Sequence, residues 1–356
     1  MKVFGEPEQG GHERVLFAQD CESGLKAIIA VHSTVLGPAL GGTRFYPYDC
    51  EEDALADVLR LSRAMTRKNA AAGLDHGGGK GVIIGDPRTL KSERLLRAYG
   101  RAIESLGGGY VTAEDVGTTI ADMEVIGRET RHVTGTARDM GGSGDPSPTT
   151  ALGLVAAMRG TSRFLWDSSD LSGRHVAIQG VGKVGGAFAR MLGALGARLT
   201  IADVNEKAVQ ALAGELGADI ADPAAVHAVE CDVFAPCALG GALNPETVPE
   251  LRCAAVVGSA NNQLADDALA TDLAARGILY VPDFIVNAGG VINLAEEVGR
   301  EYQIERANRR VHAIEGTVTD LLARARETGA TPLDEAIALA ERRIREVGGL
   351  PAPVGH

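Results

Sequence analysis

Lys68 and Lys80 lie twelve residues apart in the stretch MTRKNAAAGLDHGGGKG, which runs from Met65 to Gly81. Lys80 follows three consecutive glycines, so the backbone beside it can come very close to a bound molecule. An ammonium held near a second ammonium resists keeping its own proton, which makes it available as a base near neutral pH. By residue type alone most lysines are solvated surface cations. The glycines set this pair apart, and the stretch reads as a loop built around a candidate base.

A second constellation begins at Gly180. Residues Gly180, Val181, Gly182, Lys183, Val184 and Gly185 match G-x-G-x-x-G, between a strand-like run ending at Gln179 and a helical pattern beginning near Val184. Asp203 closes the next strand-like run, eighteen residues beyond Gly185. That context is what dinucleotide binding requires. Gly180 makes the turn, Gly182 admits the pyrophosphate, and Gly185 lets helix pack on sheet, with the helix N-terminus favouring phosphate charge. Asp203 would accept a hydrogen bond from the adenosine ribose 2′-hydroxyl and repel a 2′-phosphate, which selects NAD over NADP. Lys183 could touch phosphate, though a surface side chain is an equal reading. The plain alternative for the whole motif is an ordinary strand–helix turn followed by a solvated strand end.

Elements of mixed type must position these groups. Leu25 to Val35 and Thr43 to Tyr48 read as strands. Glu51 to Lys68 has apolar residues at helical period, Gly81 to Ile84 is a short strand, Lys91 to Leu106 an amphipathic helix, and Gly109 to Ala113 a strand again. From Met140 the composition turns to Gly, Ser, Asp and Pro, which is a loop and the natural domain junction. Beyond it come a helix from Thr149 to about Leu165, the nucleotide strand and turn, further strands near 232–235, 254–257 and 277–281, and helices after about 303. The expected fold is α/β in two domains separated by a cleft. Residues 1–140 form a mixed α/β substrate and oligomerisation domain, and 141–330 a Rossmann-type doubly wound NAD domain. The helices at about 330–356 return to the first domain.

Bulk properties narrow the function class. A chain of 356 residues exceeds one ordinary core, which supports two domains. A net charge of −12 argues against nucleic acid or an anionic membrane as partner, since both need a basic face. Five cysteines, at 21, 50, 231, 237 and 253, fit no zinc spacing and read as reduced thiols of a cytoplasmic protein without a metal site. The N-terminus lacks the apolar core of a secretion signal, and no apolar run reaches membrane-spanning length.

Read together, the blocks Gly37 to Arg44 (GPALGGTR), the two-lysine stretch, Thr112 to Gly117 (TAEDVG), Gly144 to Thr149 (GDPSPT), Cys231 to Cys237 (CDVFAPC), Ser259 to Gln263 (SANNQ) and Pro282 to Gly290 (PDFIVNAGG) resemble the amino acid dehydrogenases of glutamate, leucine, phenylalanine and valine. The likeness covers about 30–300 and is nearest to leucine dehydrogenases and actinobacterial valine dehydrogenases. It implies reversible oxidative deamination, in which amino acid, NAD⁺ and water give 2-oxo acid, NADH and ammonium. Residue by residue, it implies that Lys68 binds the substrate carboxylate and Lys80 activates the attacking water. Asp115 then exchanges protons with the substrate nitrogen. Gly41, Gly42 and Asn262 are expected at the substrate, and Thr150, Ala260 and Asn261 at the cofactor. Without the resemblance, Asp115 would read as a helix cap or turn residue. His76, in the same stretch as the lysines, is structural. The family forms homo-oligomers from dimers to octamers.

The resemblance also places the side-chain pocket at Leu40, Ala113, Val291 and Leu294. Glutamate enzymes carry a lysine at the Leu40 position. A glutamate side chain buried here against an apolar wall would lack a partner, at a cost of several kcal/mol. Leucine, valine and isoleucine are therefore the expected substrates, unranked, because one methylene changes selectivity by only about 1–3 kcal/mol. Phenylalanine is the nearest rival, and a catalytically silent amino acid or NAD sensor a more distant one. The departures from the family pattern are Arg67, where an aromatic is common, and Lys183, where asparagine is common.

Overall fold

The second strand shows how the N-terminal unit is layered. In a computed structural model, which describes residues 11–348, the strand β2 (Leu25–Ser33) is buried on both faces. Leu25, Ala27, Ile29 and Val31 join one core cluster, whereas Ile28 and Ala30 join another. Alternation of period two with apolar residues on both sides means a sheet covered on both faces. The sheet order is β1-β2-β4-β3-β5, with β1 at Arg14–Asp20, β3 at Ala39–Tyr46, β4 at Gly77–Ile84 and β5 at Tyr110–Glu114. β2 runs antiparallel to β1 and β4, and β3 runs parallel to β4 and β5.

Helix α1 (Glu51–Ala71) lies on the Ile28 side, where Ala54 and Val58 complete the smaller cluster. After a single turn, α2 (Pro87–Leu90), the helices α3 (Glu93–Glu104) and α4 (Ile120–Ile126) cover the other side through Leu95, Tyr99, Ile103, Met123 and Ile126. The N-terminus of α4 is closed by a capping box between Thr119 and Asp122. Asp115 is thus not the cap.

The glycine stretch corrects the loop reading. Residues 77–81 form strand, and their glycines serve packing between elements. A Cβ on Gly78 would lie 2.1 Å from the Thr66 nitrogen of α1, and one on Gly81 would lie 1.9 Å from the Tyr99 hydroxyl. Helix and tyrosine occupy the space that a side chain would need. Strand β1 and the early start of β3 also escape the sequence patterns. β1 is an edge strand with Phe17 61% exposed, so it lacks a clean apolar alternation.

The second unit opens with α5 (Ser147–Trp166) and carries a six-stranded parallel sheet of order β11-β10-β9-β6-β7-β8. Its strands are β6 (His175–Gln179), β7 (Arg198–Ala202), β8 (Asp219–Ile220), β9 (Val233–Pro236), β10 (Ala255–Val256) and β11 (Leu279–Tyr280), with α6 (Lys183–Ala194) and α7 (Glu206–Leu216) linking the first three. This is the doubly wound Rossmann arrangement, and the order reverses at β6. Its core gathers Ala177, Phe234, Val256, Leu273 and Tyr280.

The units divide the chain at four points. Among the described residues, those up to Asp145 form the first unit together with Val291–Ile304 and those from Leu339 to 348, and Pro146–Gly290 with Glu305–Ala338 form the second. The sequence reading expects one junction near 140 and a return near 330. The excursion at Val291–Ile304, which carries Val291 and Leu294 into the first unit, has no compositional mark. Residues 349–356 of the expected C-terminal return lie outside the described residues. Among the described residues no helix is long and apolar enough to cross a membrane.

Candidate active site

Lys80 has the parity of Gly78 and Val82 in β4, and Val82 packs in the cluster under α1. The lysine therefore rises on the α1 side of the sheet. Lys68 stands in the last turn of α1. Its neighbour Asn69 is fully buried and donates from Nδ2 to the carbonyls of Leu40 (3.1 Å) and Gly77 (2.6 Å). That amide ties the end of α1 to the starts of β3 and β4, and so sets where Lys68 stands.

Asp115 follows β5. Its Oδ2 lies 3.0 Å from Lys80 Nζ, with the lysine side chain 7% exposed and the aspartate 24%. Lys80 stands on β4 and Asp115 just past β5, the strands on either side of β3. The registers Leu40↔Gly78 and Thr43↔Gly81 put Gly42 level with Lys80, and Gly42 also pairs with Ala113. A Cβ on Gly42 would lie 2.6 Å from the Glu114 carbonyl oxygen and 2.9 Å from Asp115 Cβ. Glycine at 42 is what lets Asp115 close over β3 onto Lys80.

The group at 3.0 Å from the Lys80 ammonium is the Asp115 carboxylate. Asp115 also accepts from Arg44 Nε at 3.2 Å, and its backbone N–H donates to Thr118 Oγ1 at 2.8 Å. Burial pushes the Asp115 carboxyl up, but the Lys80 ammonium and Arg44 guanidinium beside it outweigh burial and hold it below the usual carboxylate range. Arg44 was visible in the sequence only as the last residue of the GPALGGTR block, with no role attached.

Leu40, Ala113 and Val291 are buried, at 0%, 1% and 6% exposure, and Leu294 is half-buried beside Gly135. The carbonyl of Leu294 accepts from Thr134 Oγ1 at 2.7 Å. His76 Nδ1 lies 3.1 Å from the Pro38 carbonyl oxygen, a tie between loops.

In the second unit the glycine turn follows β6. Gly180 has φ 95°, a left-handed conformation that favours glycine, and a Cβ on Gly185 would lie 2.0 Å from the Gly180 carbonyl oxygen. Nothing lies within 4 Å of the place where a Cβ of Gly182 would stand, so the backbone there is open to a ligand at the start of α6. These residues fit a dinucleotide pyrophosphate. Lys183 is exposed, Val184 half-buried and Val181 buried. Asp203 accepts from the backbone N–H of Val181 at 2.8 Å and of Asn205 at 2.9 Å, so the carboxylate also braces the turn.

Thr150 donates its hydroxyl to the Pro146 carbonyl at 2.9 Å, which leaves its oxygen able to accept. Ala260 is buried, and Asn262 adopts φ 52° with its carbonyl accepting from the Gly241 N–H. Asn261 Oδ1 accepts from Asn287 Nδ2 at 2.9 Å. Asn287, the asparagine of the PDFIVNAGG block, was not singled out in the sequence; its position in that block was the available signal.

Two family models match the chain: the Glu/Leu/Phe/Val dehydrogenase dimerisation domain over 12–132, and Glutamate/Leucine/Phenylalanine/Valine dehydrogenase over 200–347. The chain belongs to this dehydrogenase family. It is an oxidoreductase of two α/β domains, and the family and its Rossmann-type sheet imply a nicotinamide cofactor. The dehydrogenase is 52% identical to a valine dehydrogenase of Streptomyces albus, over 95% of this chain and 94% of the relative. It is 48% identical to a leucine dehydrogenase of Bacillus cereus, over 97% and 94%. A solved L-tryptophan dehydrogenase of Nostoc punctiforme superposes with a TM-score of 0.83 at 42% identity, over 96% of this chain and 98% of that one.

Proposed function

We propose that this dehydrogenase uses NAD to deaminate branched-chain L-amino acids reversibly. The observation that carries the reading is the Lys80–Asp115 pair at 3.0 Å beside a strand whose Leu40 is fully apolar and buried. The valine and leucine specificities of the relatives agree with it. In balanced form, L-amino acid, NAD⁺ and water give 2-oxo acid, NADH, ammonium and one proton.

When bound, the cofactor supplies the hydride acceptor, and the protein handles protons and charge. Lys68 binds the substrate carboxylate. Asp115 takes a proton from the substrate ammonium, because the α-carbon gives up hydride only when its nitrogen holds a lone pair. Lys80, as the free amine, takes a proton from water as it attacks the iminium carbon. Asp115 returns its proton to the nitrogen, which leaves as ammonium with the hydroxyl proton of the carbinolamine, and Lys80 then passes its proton to the freed Asp115 carboxylate 3.0 Å away, from which it goes to solvent. Gly41 and Gly42 lie along the substrate, and Leu40, Ala113, Val291 and Leu294 enclose its side chain. Gly180 to Gly185, Thr150, Ala260 and Asn261 hold the cofactor. Asp203 receives the ribose 2′-hydroxyl and disfavours NADP. The N-terminal unit also mediates self-association into a homo-oligomer, as the description of its family model suggests. The free cysteines suit a cytoplasmic setting.

The test is NADH formation with leucine, valine, isoleucine, phenylalanine, tryptophan and glutamate at alkaline pH, with Lys80→Ala as control. The branched-chain substrates should give the highest kcat/KM and the variant should be inactive. Faster turnover of an aromatic amino acid or of glutamate would overturn the substrate assignment, and undiminished turnover in Lys80→Ala the mechanism.

A further inference from the structure

Asp115 is gripped by two cations with different prospects. Lys80, on β4, exchanges protons during the proposed cycle, so it cannot hold the carboxylate constant. Arg44, on β3, stays charged at every working pH. Its Nε meets the same oxygen, Oδ2, at 3.2 Å that Lys80 meets at 3.0 Å. Arg44 is itself locked from behind: its Nη1 lies 2.8 Å from Asp57 Oδ2, on α1. Asp57 in turn accepts from Tyr48 Oη at 2.7 Å and from Arg60 Nη2 at 2.7 Å. The Arg44 and Asp57 side chains are 23% and 15% exposed, so water screens this chain only in part.

We infer that Arg44, fixed by Asp57 and Tyr48, is a positioning residue that sets the placement and proton affinity of Asp115 throughout the acid–base cycle. The inference rests on the reading of Asp115 as the proton carrier. A guanidinium is a planar fork with donors in fixed directions. One edge of the fork is spent on Asp57, so the remaining Nε–H has a single direction, and Asp115 lies along it. The groups facing Asp115 are Lys80 from β4 and Arg44 from β3, with Thr118 from its own turn. Of these, only Arg44 keeps a permanent charge. Burial opposes ionisation of Asp115, and the two cations reverse that. Loss of one should raise its proton affinity and loosen its rotamer, while leaving the carboxylate-binding lysine and the nucleotide turn untouched.

The experiment compares pH profiles of kcat and kcat/KM for leucine deamination in the wild type, Arg44→Met, Arg44→Lys, Asp57→Asn and Asp115→Asn. The substrate amine ionises identically in all of them, so differences between profiles report the protein. Arg44→Met should move the acid limb to higher pH by about one unit, with roughly tenfold lower kcat on that limb, as loss of one nearby opposite charge predicts. KM for leucine and NAD should change less than about twofold, since substrate contacts are left in place. Arg44→Lys should recover part of the shift, and Asp57→Asn should shift the limb the same way by less. A folded Arg44→Met protein with an unmoved limb overturns the inference. If Arg44→Met does not fold, an unmoved limb in Asp57→Asn does so. Asp115→Asn separates the two levels: full activity there overturns Asp115 as proton carrier, whereas inactivity there with unshifted Arg44 variants overturns the role of Arg44 alone.

Discussion

Lys80, on β4, and Asp115, just beyond the end of β5, belong to strands that do not pair with each other, and their side chains meet 3.0 Å apart across the strand between them. The contact depends on Gly42, which leaves that middle strand bare at the crossing point.

Gly42→Ala tests this dependence. The new methyl would lie 2.6 Å from a carbonyl oxygen and 2.9 Å from Asp115 Cβ, so strand β5 or the aspartate must shift. Overpacking of this kind costs about 1–3 kcal/mol of stability. A displacement near 1 Å at the pair should lower kcat by about a hundredfold. Melting temperature and kcat measured on the same preparation check both effects; a wild-type kcat would show that the crossing does not need glycine.

Asp115 also links activity to acid stability. Its carboxyl lies below the ordinary range in the folded protein, because Lys80 and Arg44 overcome burial. Its ionised form therefore stabilises the fold at pH values above the ordinary carboxylate pKa of about 4, and that contribution fades as pH falls through the lowered folded value. Asp115→Asn should be less stable than wild type at neutral pH, and the gap should narrow on acidification. Urea unfolding at a series of pH values measures it; a gap that widens toward acid pH contradicts the sign.

Asp203 accepts the Val181 N–H within the glycine turn, and in the proposed function it also receives a ribose hydroxyl of the cofactor. Asp203→Ala should weaken NAD binding by roughly tenfold or more, since a hydrogen bond to a charged group contributes about 1.5–3 kcal/mol. The NADP-to-NAD affinity ratio should rise as the repelling carboxylate disappears. Fluorescence titration of NADH and NADPH reads both, and an unchanged ratio would remove Asp203 as the selector.

Asn69 anchors the last turn of α1, which carries Lys68, the proposed carboxylate binder. Asn69→Ala leaves the buried carbonyls of Leu40 and Gly77 without their donor. Each unsatisfied group costs about 1–3 kcal/mol. Stability should fall, and KM for leucine should rise more than KM for NAD, because the turn that carries Lys68 is freed. Equal changes in the two KM values would assign Asn69 to general stability only.

The second unit was the more legible of the two because its motif is local. A strand, a glycine turn, a helix and an acid at the end of the next strand occur in order, and each step has its own spacing. The turn from Gly180 to Gly185 is contiguous and Asp203 lies one strand later, so short-range pattern sufficed. The first unit is less legible. Its glycine stretch has the composition of a loop, because glycine is common in turns, whereas here neighbouring elements occupy the space a side chain would need. Strand β1 was missed because an edge strand buries too little to alternate.

Arg44 and Asn69 show the remaining gap. Both stand in the GPALGGTR block or the two-lysine stretch, and neither type nor spacing distinguishes them from surface residues. Their roles come from partners far along the chain: Asp115 is 71 residues from Arg44, and the Leu40 carbonyl is 29 from Asn69. The sequence by itself determined the two-domain α/β architecture, the nucleotide turn and the family. Local periodicity and ordered blocks carry that information. Only the tertiary structure decided that Lys80 faces a carboxylate, that Gly42 opens the way between them, and that an arginine locked to Asp57 stands behind the pair. Those facts depend on strand order and register, through which residues remote in sequence come within hydrogen-bond distance.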